Sequence, residues 1–175
     1  MTTMNERVLA VSDDVSIAKM TEHDLLEVVE IEESSGLSRW GWAAYYAELQ
    51  GRHSNLMFVA RINNPAHRRG PKTLAGYIVA RMGADELHIN NVAVRDEYRR
   101  RGIGQDLLGK IIKQGRLLGT PVAFLELRAG NNAALTLYQK CGFKVTARRR
   151  NYYTDPVEDA LVMTVKLIET LDPIR

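Results

Sequence analysis

Two side chains in the second half of the sequence have the types and settings that acid–base chemistry needs. Glu126 interrupts the apolar stretch Val122–Arg128, where desolvation favours the neutral form of a carboxyl group. Such a group suits a general base near neutral pH, and a structural carboxylate paired with an arginine is the alternative. Tyr138 lies on the apolar face of the next predicted helix, so it either packs in the core or gives its phenolic proton to a leaving group.

A basic segment that contains glycine offers a second chemistry. Val92–Val94 ends a predicted strand, Arg99–Gly102 is rich in arginine, and Ile103 begins an amphipathic helix. Backbone N–H groups at a helix start, combined with positive charge, form a phosphate site. His88 lies earlier on the same strand. Because imidazole titrates near neutral pH, His88 is an alternative base, and otherwise an ordinary strand residue.

The elements that position these residues follow from hydrophobic periodicity. The order is strand, two helices, three strands, helix, strand, helix and two strands, which predicts a mixed α/β sheet with helices on both faces. Asn90-Asn91 within an apolar strand indicates a β-bulge. Val122–Arg128 has the composition of a strand buried on both sides. The connection Arg148–Asp159 is too rich in tyrosine and charge for a tight turn, so it is predicted to be a loop.

Composition limits the class of protein. The 175 residues, 45% hydrophobic and 26% charged, indicate one domain over 15–168 with a flexible leader, 1–14, and a tail, 169–175. The net charge of +3 is small, so the basic segment Asn63–Lys72 is interpreted as a solvated hairpin tip, with nucleic-acid binding as the alternative. No stretch is long enough for a membrane span and none has the character of a secretory signal, which predicts a cytoplasmic protein. Cys141 is the single cysteine, so no disulfide or cysteine-based zinc site is expected, and no metal is predicted.

The glycine-containing segment resembles a motif of the GCN5-related N-acetyltransferase (GNAT) family. Arg99–Gly104 matches that family's acyl-CoA pyrophosphate loop, Arg/Gln-x-x-Gly-x-Gly/Ala, between a strand and a helix. Further segments resemble the bacterial ribosomal-protein alanine N-acetyltransferases: Leu125–Ala134, Leu137-Tyr138, Gly142-Phe143, Arg149–Tyr153 and Glu158–Ala160. The resemblance extends from about Ser16 to Leu167. It implies the GNAT fold, a mixed sheet of about seven strands flanked by about four helices.

The resemblance also implies a role for each matching position. The backbone amides of Val92, Ala93 and Val94 would hold the pantetheine arm and thioester of acetyl-CoA, from which CoA leaves as product. The remaining predicted cofactor contacts are Arg99, Arg100, Arg101, Gly102, Ile103, Gly104 and Gln105 around the pyrophosphate, together with Asn131. Glu126 matches the family's proton acceptor and Tyr138 its proton donor.

The acceptor side is implied by the same resemblance. A peptide would lie between the loop Leu37–Trp42 and the loop Arg148–Asp159. The predicted substrate contacts are Trp40, Trp42, Tyr152 and Tyr153, although the tryptophans have the alternative of packing their loop onto the core. Acidic residues could meet a basic peptide, namely Glu32, Glu33, Asp155, Glu158 and Asp159.

The implied reaction is direct transfer of acetyl from acetyl-CoA to the free N-terminal amine of a protein, with the alanine of ribosomal protein S18 as the predicted acceptor. Transfer within a ternary complex needs no cysteine nucleophile. Trp40–Trp42 and the long Asn63–Lys72 hairpin depart from the subfamily pattern, which concerns substrate identity more than reaction type. Two alternatives stay open: an acetyltransferase for lysine side chains or small amines, and an acyl-CoA-binding module without turnover. The sequence leaves the oligomeric state undetermined.

Overall fold

The architecture was obtained as a computed structural model, which describes residues 15–37, 39–51, 56–63 and 72–168. The predicted leader 1–14 and tail 169–175 lie outside the described residues, as does most of the Asn63–Lys72 hairpin. The elements in chain order are β1 (Val15–Lys19), α1 (Leu25–Ser34), α2 (Gly41–Gln50), β2 (Met57–Ile62), β3 (Thr73–Met82), β4 (Glu86–Val94), α3 (Ile103–Leu117), β5 (Val122–Arg128), α4 (Asn132–Lys140), β6 (Lys144–Thr154) and β7 (Val157–Lys166). The order of elements predicted from periodicity is confirmed.

The strands form one seven-stranded sheet in the order β1-β2-β3-β4-β5-β7-β6. Every neighbouring pair is antiparallel except β4 and β5, which are parallel. These two strands pair only where Glu86–His88 lies beside Val122–Phe124. Beyond His88 they separate, although β4 continues to Val94 and β5 to Arg128. The sheet therefore contains a wedge-shaped opening between the facing edges of β4 and β5, and among the described residues neither strand has a strand partner on that edge.

Helices cover the two faces of the sheet unequally. The apolar cluster beneath α1 and α2 draws on β2, β3 and β4, whereas the cluster beneath α3 and α4 extends across β5 and β7. On β5, Ala123, Leu125 and Leu127 are buried against α3 and α4, but Phe124 and Glu126 on the opposite face are only partly covered. The prediction that β5 is buried on both sides is therefore wrong, because the α1–α2 layer stops at β4.

The longest helix, α3, has 15 residues and an apolar face that packs on the sheet. Leu107, Leu108 and Ile111 are fully buried on that face. The helix begins after Gly102, whose φ of 85° lies in the left-handed region, and Gly119 follows its end with φ of 74°. In the described part of the chain, no helix has the length and apolar character needed to cross a membrane.

The predicted β-bulge lies at Asn90. Val79 of β3 pairs with Asn91, whereas the next residue, Ala80, pairs with Ile89, so Asn90 is the extra residue on β4. The bulge reverses the alternation of side chains, and Asn91 is thereby buried beneath α1 and α2. The prediction of a bulge at the double asparagine is confirmed.

The last two strands are longer than the sequence predicts. β6 reaches Thr154 and β7 starts at Val157, so most of the predicted loop Arg148–Asp159 is hairpin. Two residues are inserted into β6 between Arg149 and Tyr153, and the Asp159 carboxylate stabilises this bulge. It accepts a 2.9 Å bond from the Asn151 N–H and a 2.7 Å bond from Arg148 Nε. The tyrosines favour extended backbone, so the charged segment continues as a strand.

Candidate active site

The segment from Arg99 to Gln105 forms an open helix N-terminus. Arg100 and Gly102 have φ of 65° and 85°, which turn the chain from the strand into α3. The first intrahelical bond runs from the Asp106 N–H to the Gly102 carbonyl, so the N–H groups of Ile103, Gly104 and Gln105 have no intrahelical acceptor. Such groups, with the positive end of the helix dipole, suit an anion.

Arginines and a close helix contact shape the same loop. Arg99 Nε donates to the Val94 carbonyl at 3.0 Å, and Arg101 Nη2 donates to the Glu97 carbonyl at 3.2 Å, so both cations are held near the turn. A Cβ at Gly104, the second residue of α3, would lie 3.0 Å from Leu137 Cδ2, so glycine at this position lets the start of α3 approach α4 closely. This geometry fits the pyrophosphate that the sequence resemblance implies.

Val92, Ala93 and Val94 lie along one wall of the wedge. On one edge they pair with Ile78, Tyr77 and Gly76 of β3, and on the other edge they have no strand partner. The side-chain oxygen of Asn90, Oδ1, is buried at the same stretch without a hydrogen bond from any described group. Free backbone groups and an unsatisfied acceptor together fit an extended ligand that carries amide groups, as a pantetheine arm does.

Glu126 lies beside the apex of the wedge with both carboxylate oxygens engaged. Its side chain is 9% exposed, Oε2 is 2.7 Å from His88 Nε2, and Oε1 is 3.2 Å from Arg149 Nη1. The His88 ring stacks on Phe124 with centroids 4.3 Å apart and an interplanar angle of 6°. The structure thus places the alternative base His88 and an arginine partner on the same carboxylate.

Both ring nitrogens of His88 have polar neighbours. Nε2 lies 2.7 Å from Glu126 Oε2, and Nδ1 lies 3.3 Å from Asn90 Nδ2, with the donor and acceptor roles set by the tautomer. The carboxylate orientation is therefore fixed from the β4 side. Among the described residues, no group of three His, Cys, Asp or Glu side chains is arranged to hold a metal ion.

Tyr138 lies on α4, on the opposite side of β5 from Glu126. Its ring is buried and packs edge-on against Phe143 at 6.0 Å, as the helical face predicted. Burial raises the pKa of Tyr138 well above its ordinary value, so the hydroxyl keeps its proton at neutral pH. Asn131 caps this helix, with Oδ1 accepting the Ala134 N–H at 3.0 Å; its contact with a cofactor stays a prediction.

Arg128 clamps the last hairpin to β5. Its guanidinium donates to Glu158 Oε2 at 3.2 Å and to the Asp155 carbonyl at 2.8 Å, and it lies 4.2 Å over the Tyr153 ring. Glu158 Oε1 also accepts the Gly130 N–H at 2.6 Å, and these bonds lower the pKa of Glu158. Tyr153 is therefore held against Arg128 of β5, and burial raises the pKa of its phenol.

The two tryptophans occupy different surroundings. Trp40 packs beside Tyr45, with centroids 5.4 Å apart, and the Arg81 guanidinium lies 4.7 Å over its ring. Trp42 is 45% exposed and stacks on Tyr46 at 4.8 Å. Trp40 therefore follows the packing alternative, whereas Trp42 presents an aromatic surface. Tyr152, 46% exposed, is the other predicted substrate contact that faces solvent.

A buried network centred on Glu32 was missed by the sequence reasoning. Glu32 is 1% exposed; Oε1 accepts the Trp40 N–H at 2.8 Å and the Tyr45 hydroxyl at 2.7 Å, and Oε2 accepts the Gly41 N–H at 3.0 Å. Asn91 Nδ2 donates to the Tyr45 hydroxyl at 2.8 Å. Glu32 thus caps α2 and does not face a peptide. Its position four residues after Val28 and seven after Leu25, on the buried face of α1, was the available signal.

Comparisons with known proteins agree on one family. A sequence model of the acetyltransferase (GNAT) family matches residues 25–143. The N-alpha-acetyltransferase RimI of Mycobacterium tuberculosis is 32% identical over 158 residues, covering 87% of this chain and 92% of that protein. The ribosomal protein bS18-alanine N-acetyltransferase of Haemophilus influenzae is 30% identical over 154 residues, covering 86% and 98%.

The fold comparison gives the same answer. The crystal structure of the ribosomal-protein-S18-alanine N-acetyltransferase from Escherichia coli superposes with a TM-score of 0.75 at 28% identity, covering 92% of this chain and 99% of that one. The mixed seven-stranded sheet with four helices is the GNAT fold, and acetyl-CoA is the acyl donor that such enzymes use. The resemblance inferred from the pyrophosphate loop is confirmed, and the chain belongs to the acetyltransferase (GNAT) family.

Proposed function

We propose that this enzyme transfers acetyl from acetyl-CoA to the free N-terminal amine of a protein in the cytoplasm, with the alanine of ribosomal protein bS18 as acceptor. The observation that carries the proposal is a buried carboxylate, Glu126, oriented by a 2.7 Å contact to His88 beside a wedge whose other end is an arginine-rich helix start. The names of the relatives support the choice of acceptor.

Glu126 is proposed as the proton acceptor. A peptide α-amine is mostly protonated near pH 7 and attacks only after losing a proton. Glu126 Oε1, on the side away from His88, would take this proton directly or through water. The bond from His88 keeps Oε2 turned toward β4, so the carboxylate needs no reorientation during the reaction.

Backbone groups of this chain would hold the donor. Val92–Val94 would bind the arm, Arg99–Gln105 the pyrophosphate, and Asn131 a further part of the cofactor. When bound, acetyl-CoA supplies the activated acyl group. Tyr138 holds a phenolic proton that its raised pKa retains at neutral pH, and it would give this proton to the departing thiolate.

His88 is a second candidate for the proton acceptor. Its side chain is 33% exposed, against 9% for Glu126, and its Nε2 contacts the same carboxylate at 2.7 Å. The variants H88Q and E126Q separate these roles. If His88 were the acceptor, H88Q would lose as much turnover as E126Q; if it only orients Glu126, H88Q would lose less.

The proposed acceptor is tested with three substrates at saturating acetyl-CoA. They are an alanine-initiated peptide with the bS18 N-terminal sequence, the same peptide with its N-terminus blocked, and a polyamine. We expect mass spectrometry to find acetyl on the free α-amine of the first alone. Acetylation of the blocked peptide would identify a lysine acetyltransferase, and acetylation of the polyamine a small-amine enzyme. CoA binding without transfer to any substrate would indicate a binding module.

A further inference from the structure

Arg149 has an unusual partner for a residue on the edge of the sheet. Its neighbour Arg148 pairs with Asp159 inside the hairpin, with Nε 2.7 Å from Oδ2. Arg149 instead reaches Glu126 on β5, a strand that β6 does not pair with. On the intervening strand β7, the residue opposite Arg149 is Ala160. Its methyl group is small, so the Arg149 side chain can extend over β7 to reach β5.

The two members of this ion pair differ in exposure. The Arg149 side chain is 51% exposed, whereas the Glu126 side chain is 9% exposed. An exposed cation loses little when it leaves such a pair, because water takes over its solvation. A buried carboxylate left without a cation is costly. Arg149 is therefore replaceable on Glu126, provided that another cation takes its place.

A second contact can retain the Arg149 guanidinium after it is displaced from Glu126. Its guanidinium lies 5.4 Å from the ring centroid of Tyr152 on the same strand, and that ring is 46% exposed. A cation on an exposed aromatic face is moderately stabilised. The guanidinium can shift along the hairpin surface without being transferred into an apolar environment.

The proposed acceptor brings such a cation, since a protein N-terminus is an ammonium near pH 7. We propose that Arg149 occupies, in the free enzyme, the place on Glu126 that the α-ammonium of the acceptor takes, and that it thereby selects acceptors with a cationic amine. This inference rests on the proposed Nα-acetyltransferase function. It makes Arg149 a specificity-determining residue whose action on the reaction passes through Glu126.

The charge changes of the reaction fit this exchange. One ammonium N–H bond would break, with its electron pair left on nitrogen and the proton on Glu126 Oε1. This pair would form the new C–N bond while the C–S bond of the thioester breaks, and the second proton lost from nitrogen would replace the one that Tyr138 gives to the departing thiolate. After transfer, the acetylated nitrogen is neutral, and the proton on Glu126 passes to water. The product then brings no charge to the carboxylate, so Arg149 returns to Glu126. The arginine competes with substrate for Glu126 and not with product.

The test compares R149M, which keeps an apolar stem but removes the charge, with R149K, which keeps a cation. R150M is the matched control, because it removes one positive charge from the neighbouring exposed position on β6. With the alanine-initiated peptide varied, we expect R149M to lower KM about three- to tenfold with kcat within about twofold of wild type. R149K should stay close to wild type, and R150M should leave both constants unchanged.

A product measurement separates electrostatic competition from simple obstruction of the cleft. The N-terminally acetylated peptide should inhibit R149M and wild type with similar constants, because it carries no cation at the reacting nitrogen. An unchanged or raised KM in R149M would overturn the inference. So would a decrease of the inhibition constant of the acetylated peptide by the same factor as the decrease of KM. If the wild-type enzyme acetylates the peptide but R149M shows no change in KM, only this inference is contradicted. No acetyl transfer by the wild type overturns the proposed function and this inference together.

Discussion

The proposed donor half and the proposed acceptor half of the site are held by different interactions. In the donor half, the helix N-terminus after Gly102 and the free edge of Val92–Val94 present backbone groups, whose positions are set by φ angles and strand pairing. In the acceptor half, Glu126 and Tyr153 are held by charged side chains that come from other strands. Substitutions should therefore affect the donor half through backbone conformation and the acceptor half through charge.

The largest effect is expected from removing the charge of the proposed base. E126Q keeps the shape of the side chain but cannot take a proton, so kcat/KM for the alanine-initiated peptide should fall on the order of tenfold to a thousandfold. The affinity for acetyl-CoA should stay unchanged, because the donor half does not depend on this charge. E86Q, at the exposed start of β4, is the matched control. Full activity in E126Q would remove Glu126 from the mechanism.

The second effect concerns the proton donor. Y138F preserves the ring that packs on Phe143 and removes only the hydroxyl, so turnover should fall by about tenfold or more while the fold persists. Single-turnover and steady-state rates, with a thermal unfolding scan, would measure both consequences. A variant that unfolds easily but turns over normally would show that Tyr138 is a packing residue.

A backbone substitution should break the donor half selectively. Gly102 has φ of 85°, where a residue with a Cβ is strained by roughly 1–2 kcal/mol, so G102A should weaken CoA binding about five- to thirtyfold. G109A is the control on the same helix, because nothing lies within 4 Å of its added Cβ. It should stabilise α3 by about 0.5–1 kcal/mol without changing CoA affinity. Equal loss of peptide and CoA affinity in G102A would contradict the separation of the two halves.

The smallest effect is a pH dependence in the acceptor half. The Gly130 N–H and Arg128 lower the pKa of Glu158 below its ordinary value of 4.5. A carboxylate with a lowered pKa in the folded state stabilises the protein above about pH 4.5, and this contribution is lost as the pH falls through the folded-state value. The melting temperature of wild type should exceed that of E158Q by a small margin at neutral pH, and the margin should vanish in acid. A difference in melting temperature that stays constant down to pH 3 would contradict a stabilising role for the contacts of Glu158 with Arg128 and the Gly130 N–H.

The backbone geometry of the proposed donor half could be predicted from the sequence because it is local. A strand end, a left-handed glycine and the first turn of α3 follow one another within Val92–Gln105, and their geometry depends on neighbouring residues. The bulge at Asn90 was predictable for the same reason, since two polar residues in succession cannot both follow the alternation of an apolar strand. The resemblance to a pyrophosphate loop rested on these local features.

The acceptor half was harder because its contacts join distant segments. The sequence left two roles open for Glu126, and Arg149, the arginine partner that one of these roles requires, comes from a strand two positions away in the sheet. The prediction that Arg148–Asp159 is a loop was wrong. It was based on the charge of the arginines and did not take into account the β-propensity of the tyrosines. Glu32 was misplaced because its four contacts lie on residues after α1, which periodicity within α1 does not report.

The short pairing of β4 with β5 has a consequence for the stability of the whole molecule. Strands β1–β4 and β5–β7 are each joined by long antiparallel ladders, but the two groups share only the three pairs between Glu86–His88 and Val122–Phe124. The sheet thus consists of two antiparallel groups of strands joined by a narrow seam, and α3 packs on residues of both groups. A ligand that bonds to both walls of the wedge would add contacts across this seam. Its binding would therefore stabilise the two groups of strands against separation.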